Sequence, residues 1–232
     1  IQNLDEIIEA TDGVMVARGD LGVEAGVARV PLMQKHVIRR AGADGKLVIT
    51  ATQMLESMIS QPEPTRAEAT DVANAILDGT SAVMLSGETT VGRYPVETVQ
   101  AMAEIAEEAE KGALLSLVVT APVTNRAEAV MQSAVHLAQQ VALVVSTVSG
   151  GAARAAAKYR PRLPVIALSE DARVLRQLAL EWGVVPGAIP PRPSTLELHR
   201  AMMIGRAREV AGLSSGDVVV LAYGPPEAGP AQ

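Results

Sequence analysis

Cysteine and phenylalanine are absent from the 232 residues, and aromatic residues make up only 2% of them. Without cysteine there are no disulfides and no thiolate metal sites, and the composition suits a reducing cytoplasm. So few rings leave no stacking platform for single-stranded nucleic acid. The net charge of −6 points the same way, because a polyanionic partner calls for a basic face. No charge-free apolar run approaches the roughly 18 residues that signal a membrane span, and no secretory signal is visible. The first residue is Ile1 rather than methionine, which implies that the natural start lies upstream. What the chain has in quantity is alanine, valine and leucine. At 48% hydrophobic it can fill the core of one large domain or two small ones.

The chain is organised around Val14-Met15-Val16-Ala17-Arg18-Gly19-Asp20-Leu21-Gly22. An apolar run reads as a buried strand over 13–17, and a polar turn follows with an acid between two glycines. In parallel α/β proteins ligands bind at the C-terminal ends of the strands. Glycine there lets a ligand approach backbone N–H groups, and aspartate can hold a hard cation such as magnesium. Plain turn-and-cap chemistry explains the same residues locally. Arg18-Gly19-Asp20 is also the adhesion tripeptide, but an adhesion loop should stand clear of an apolar strand.

The pattern then repeats. A helix is expected over 4–10 and another over 29–41, with Val30, Met33, Val37 and Ile38 inward and Lys35, Arg39 and Arg40 solvated. Strand 47–51 ends in Thr52-Gln53-Met54-Leu55. Thr65-Arg66-Ala67-Glu68 is a capping box that opens a helix ending near Asp78-Gly79. Strand 82–85 ends in Ser86-Gly87-Glu88-Thr89. Pro95 opens a further helix whose apolar stripe is read as Val96, Val99, Met102, Ala106 and Ala109. Val14, Val48 and Val83 are 34 and 35 residues apart, so three strand–helix units repeat with polar residues at each strand tip. A closed barrel needs eight such units. Three unpartnered strands would leave bare, aggregation-prone edges.

Residues 112–124 read as a linker. Beyond it, Asn125 with Glu128 caps a helix carrying Val130, Ala134, Leu137 and Val141. Strands are expected over 143–145, 164–168, 184–185 and 217–221, with a second capping box at Ser194-Thr195-Leu196-Glu197. Alternating strands and helices imply a small, mostly parallel sheet. Thr147-Val148-Ser149-Gly150-Gly151, between a strand and a helix, has the hydroxyls and glycines of a phosphate cradle without the Walker pattern. Ordinary turn chemistry is the competing reading.

Several blocks together carry a resemblance: Met15 to Glu24, Ala51 to Ile59, Pro64 to Glu68, Asp71 to Gly79, Val83 to Thr89 and Tyr94 to Glu97. Long and in order over residues 13–99, they resemble pyruvate kinase. Ser149-Gly150, Arg154, Lys158 to Pro161 and Gly216 to Val219 extend the likeness more loosely. The resemblance implies an α/β fold: a partial (β/α)8 TIM barrel (the last three βα units, residues 1–112), then a small α/β C-terminal domain for effector binding and assembly (residues 113–232). It also implies phosphoryl transfer from phosphoenolpyruvate to ADP, giving pyruvate and ATP in glycolysis, with Mg2+ (or Mn2+) and K+. Asp20 would be one of two carboxylates on the divalent metal. The N–H groups of Gly19 and Asp20, with the Thr52 hydroxyl, would hold the substrate carboxylate. Ser86 and Glu88 would lie near the proton path to the enolate carbon, while Arg18 and Glu24 would be structural ion-pair residues. Thr147, Ser149, Gly150 and Gly151 would bind a phosphorylated allosteric effector. Ala152 stands where sugar-bisphosphate binders carry a hydroxyl. A homotetramer in the cytoplasm, without nucleic-acid or membrane partners, is the further expectation.

The family's catalytic Lys and second metal-binding Glu lie in a Lys-Ile-Glu run that this sequence lacks, as it lacks the K+ ligands, the phosphate-binding Arg and the lid. The expectation is therefore that these residues alone are inactive. The alternatives are a non-catalytic effector-binding or oligomerisation module derived from pyruvate kinase, and a phosphoenolpyruvate-type aldolase or lyase. The Ala51-Thr-Gln-Met-Leu55 and Leu85-Ser-Gly-Glu-Thr89 blocks argue against the last.

Overall fold

A computed structural model describes residues 2–111, 123–138 and 141–224. The chain divides into two compact units, Ile1–Val118 and Val119–Gln232. In the first, α1 (Leu4–Ala10) precedes β1 (Gly13–Ala17), and α2 (Arg18–Ala25) and α3 (Val30–Ala43) lead to β2 (Leu47–Ala51). Then come α4 (Arg66–Asp78), β3 (Ala82–Val83), α5 (Gly87–Thr90) and α6 (Pro95–Lys111). The sheet order is β1-β2-β3, all parallel, with Ala17 beside Ala51 and Thr50 beside Val83. This is the repeating βα layout of a partial (β/α)8 barrel. Ile8, Val16, Val37, Ile38, Ala41 and Val48 pack α1 and α3 onto the sheet. Met54, Leu55, Met58, Val72, Ala75 and Met102 form a second cluster under α4 and α6.

The capping box forms as read. The Thr65 hydroxyl accepts from the Glu68 N–H (3.3 Å), and the Glu68 carboxylate accepts from the Thr65 N–H (2.8 Å). The same carboxylate also accepts from the Ser57 N–H (2.7 Å) and hydroxyl (2.5 Å), so it ties the segment after β2 to the start of α4. Gly79, at φ 96°, closes α4 in the left-handed conformation.

Some expectations shift. The polar turn after β1 is already the first turn of α2. β3 covers two residues rather than four, although the Met84 N–H still donates to the Thr50 carbonyl (3.0 Å). The expected stripe on α6 holds in its second half, where Met102 is buried and Ala106 and Ala109 are half-buried, but not in its first. Val96 and Val99 are 64% and 53% exposed, and Thr98 is buried instead. Thr98 tolerates burial because its hydroxyl donates to the Tyr94 carbonyl (2.6 Å).

The second unit contains α7 (Arg126–Leu137), β4 (Ala142–Ser146), α8 (Gly151–Ala157), β5 (Val165–Ser169), α9 (Ala172–Leu178), β6 (Val184–Ala188), α10 (Leu196–Ala211) and β7 (Val219–Ala222). Its sheet is parallel throughout, in the order β6-β5-β4-β7. Leu143, Val145, Val165 and Ala167 join one core cluster, and Val144, Ile166 and Leu168 join another. Alternate residues thus face opposite, covered layers, which is why these strands read as unbroken apolar runs. On α7 the buried row is Met131, Ala134 and Val135; Val130 and Leu137 are exposed, and Val141 lies beyond the helix. Glu128 lies on the same inward side, its carboxylate accepting from the Lys158 ammonium (3.1 Å), whose side chain is 1% exposed, and from the Thr124 N–H (2.9 Å). Asn125 caps α7 as expected. The second capping box is half formed. Thr195, not Ser194, is the cap, and its hydroxyl accepts from the Leu198 N–H (3.3 Å), a position with no carboxylate to return the bond. The expected boundary between residues 112 and 113 lies outside the described residues, as does most of the expected linker.

Burial pushes the Glu68 carboxyl up, but the bonds from Ser57 and Thr65 outweigh it and hold it below its ordinary range. Such a group adds stability that is full above its unfolded pKa, about 4.3, and is lost as pH falls through the folded value. Glu68→Gln is therefore expected to lower the melting temperature at pH 7. The gap from wild type should close as the pH drops below about 4, as followed by circular dichroism.

Candidate active site

Parallel pairing brings the C-terminal ends of β1, β2 and β3 to one edge of the sheet. That edge carries Gly19 and Asp20 in the first turn of α2, Thr52 just past β2, and Ser86 and Glu88 just past β3. The N–H groups of a helix's first turn lack intrahelical acceptors. Here the Gly19 N–H donates to the Thr52 hydroxyl (3.1 Å), so the tips of β1 and β2 meet through the two groups that the sequence singles out. Asp20 is exposed.

Thr52 and Gln53 sit at φ 71° and 53°, consecutive non-glycine residues in the left-handed region. Each costs on the order of 1–3 kcal/mol, and a β-branched residue is particularly unusual there. The Arg18 guanidinium lies against them. Its Nε donates to the carbonyls of Ala51 and Thr52 (both 3.2 Å), and its Nη2 to those of Thr52 (2.5 Å) and Gln53 (3.2 Å). Nη1 pairs with Asp71 on α4. The Arg18 side chain is 12% exposed, which leaves nothing for an adhesion receptor to grip. Glu24, expected as an ion-pair residue, is exposed and forms no salt bridge among the described residues.

Glu88 is 2% exposed. One carboxylate oxygen accepts from the Leu55 N–H (3.2 Å) and the other from the Ser86 N–H (2.7 Å), so Glu88 joins the tip of β3 to the segment after β2. Gly92 allows this packing: a Cβ there would stand 2.2 Å from the Glu88 carbonyl oxygen. The Ser86 carbonyl accepts from the N–H groups of Thr89 (3.2 Å) and Thr90 (3.1 Å). The roles of Arg18 as a clamp and of Gly92 as a spacer leave no local pattern in the sequence. An arginine directly after a buried strand was the one available hint.

Among the described residues no group of three or more His, Asp or Glu could hold a metal ion. Asp20 nevertheless fits magnesium in kind. That ion keeps several waters and takes one or two carboxylates together with substrate oxygens, so a single acid can supply part of its shell.

In the second unit the strand order reverses between β4 and β7, and open α/β sheets bind ligands in the crevice at such a point. Thr147 to Gly151 follow β4 there. The buried Thr147 hydroxyl accepts from the Gly150 N–H (3.0 Å), and Gly150 has φ 85°. Arg154 reaches back over the loop, with Nη1 donating to the Ser149 carbonyl (3.0 Å), Nη2 to Gln177 Oε1 (3.3 Å) and Nε lying 3.4 Å from Glu181. Burial pushes the Glu181 carboxyl up despite the two nearby arginines, Arg154 and Arg160.

Repeated parallel βα units with polar strand tips, followed by a parallel α/β unit, define the class of partial βα barrels that carry a separate α/β domain. Comparison with known proteins narrows this. "Pyruvate kinase, barrel domain" matches residues 1–99, and "Pyruvate kinase, alpha/beta domain" matches residues 127–231. The chain is 46% identical to a pyruvate kinase of Clostridium acetobutylicum over 233 residues, covering 97% of this chain and 49% of that protein. It is 48% identical to the pyruvate kinase of Geobacillus stearothermophilus, with 97% and 40% covered. It is 45% identical to pyruvate kinase 2 of Synechocystis, covering 97% of this chain and 38% of that one. The chain belongs to the pyruvate kinase family and spans half or less of the length of these relatives.

Glu88→Gln would turn an amide N–H2 toward one buried backbone donor and leave it without an acceptor. A loss of about 1–3 kcal/mol in urea unfolding is expected. Ser86→Ala, which leaves every backbone bond in place, should stay within about 0.5 kcal/mol of wild type.

Proposed function

We propose that this chain forms part of the active site of a pyruvate kinase, which transfers the phosphoryl group of phosphoenolpyruvate to ADP. The phosphorus–enol-oxygen bond breaks, a β-phosphate oxygen of ADP takes the phosphorus, and the enolate gains a proton at carbon to become pyruvate. The observation that carries the reading is the meeting of Gly19, Asp20 and Thr52 at adjacent strand tips in a chain of this family. In the reading, the Gly19 and Asp20 N–H groups and the Thr52 hydroxyl grip the substrate carboxylate. The Gly19 N–H exchanges its Thr52 acceptor for a carboxylate oxygen, and the Thr52 hydroxyl turns its proton to the substrate. Asp20 is one ligand of a divalent cation, Mg2+ or Mn2+, which when bound neutralises charge on the phosphoryl oxygens and the enolate. Ser86 serves the proton path to the enolate carbon. Glu88, with both oxygens accepting from backbone N–H groups, acts by fixing Ser86 and Leu55 rather than by moving a proton.

The same reading takes residues 1–112 as part of the catalytic barrel and 113–232 as the effector and assembly domain. It adds K+ as a second cofactor, a phosphorylated effector at Thr147, Ser149, Gly150 and Gly151, a homotetramer, and a cytoplasmic setting. The position of the Thr147 loop at the reversal of strand order supports the effector site. No helix among the described residues is long and apolar enough to cross a membrane. The sequence holds no Lys-Ile-Glu run, so residues 1–232 alone are proposed to lack turnover.

Pyruvate formation from phosphoenolpyruvate and ADP, with magnesium and potassium, tests this in the 232-residue chain and in any longer natural product that carries it. Activity only in the longer form is expected, and Asp20→Ala should lower its kcat/KM by about a thousandfold. Silence in both forms would overturn the reading.

A further inference from the structure

We infer that Arg18 is a positioning residue for the carboxylate-gripping turn, acting through Thr52 and Gln53. What the turn grips rests on the pyruvate kinase reading; what holds the turn does not. Along a strand, successive carbonyls point to opposite sides. The carbonyls of Ala51, Thr52 and Gln53 instead converge on one guanidinium, at 2.5 to 3.2 Å. Three successive carbonyls meet one cation only where the backbone leaves the extended conformation, and here it does so through two left-handed residues in a row. Neither threonine nor glutamine favours that conformation, so an outside contact must impose it. The rigid fork of arginine matches the task. A lysine ammonium, with three donors at one point, would reach fewer of these acceptors. Asp71 balances the charge from the side of α4. The outcome of the fold-over is that the Thr52 hydroxyl stands 3.1 Å from the Gly19 N–H. An ion-pair residue would need only Asp71; the three carbonyl contacts are surplus to that role and serve the turn.

The decisive variant is Gln53→Gly, because glycine enters the left-handed region freely and replaces part of what Arg18 imposes. Kinetics are read in the pyruvate-forming protein that contains this chain, and Gly19 amide exchange in the 232-residue chain. Arg18→Met should raise the KM for phosphoenolpyruvate about tenfold, the equivalent of one lost hydrogen bond. It should leave kcat and the KM for ADP within about twofold. It should also speed exchange of the Gly19 amide. Adding Gln53→Gly should restore most of both effects. Arg18→Lys, which keeps the charge for Asp71, should fall between and covers the case in which Arg18→Met does not fold. An unchanged KM for phosphoenolpyruvate, or a raised KM that Gln53→Gly fails to rescue, would overturn the inference. If wild-type protein makes no pyruvate, the pyruvate kinase reading falls. Gly19 exchange then decides alone: acceleration in the Arg18 variants upholds the inference, and no change refutes it.

Discussion

The largely buried guanidinium of Arg18 is the constraint on which the strand-tip end of the first unit depends. Segments 33 and 53 residues apart in sequence meet at this one group. An ion largely removed from water must be surrounded by acceptors, and here they are the Asp71 carboxylate and the backbone carbonyls at and just past the end of β2. Glu68 and Glu88 apply the same logic with opposite sign, each gathering N–H groups from two segments of chain. The strand tips are thus laced together by the side chains of Arg18, Glu68 and Glu88 bonded to the main chain, while the apolar clusters hold the helices against the sheet.

What was legible in the sequence follows from how local its cause is. The runs over 13–17 and 47–51 became strands of those lengths, and the blocks shared with pyruvate kinase located the strand tips. Thr65 with Glu68, and Asn125, marked helix starts, because a cap is made within four residues. Helix rotation was less legible. Counting apolar residues missed Thr98, which hides its hydroxyl on its own helix, and Glu128, whose partner lies thirty residues on. The cap at Thr195 was misplaced by one because two hydroxyl residues stand side by side. Within the candidate site, Asp20 and Gly19 could be picked out by type and spacing. The left-handed Thr52 and Gln53 could not, since their conformation runs against local preference and is imposed from another strand. Glu88 read as an acid beside a reaction path; its burial and its two backbone donors are tertiary facts.

The two units use parallel sheets differently. In the second, β4 and β5 are covered on both faces and almost wholly buried, as a doubly wound sheet requires. In the first, Met15 of β1 is half exposed and β3 is only two residues long, so its order rests more on the polar lacing at the tips.

The loop after β4 carries a consequence for how such a sequence can vary over time. A Cβ at Gly150 would stand 2.9 Å from the Arg154 guanidinium, and the backbone there is already left-handed. The absence of a side chain at one position is the space that the other position fills. A side chain at 150 would both strain the left-handed backbone and push the flexible end of Arg154 away from Ser149 and Gln177, so what is inherited at one position bears on the other.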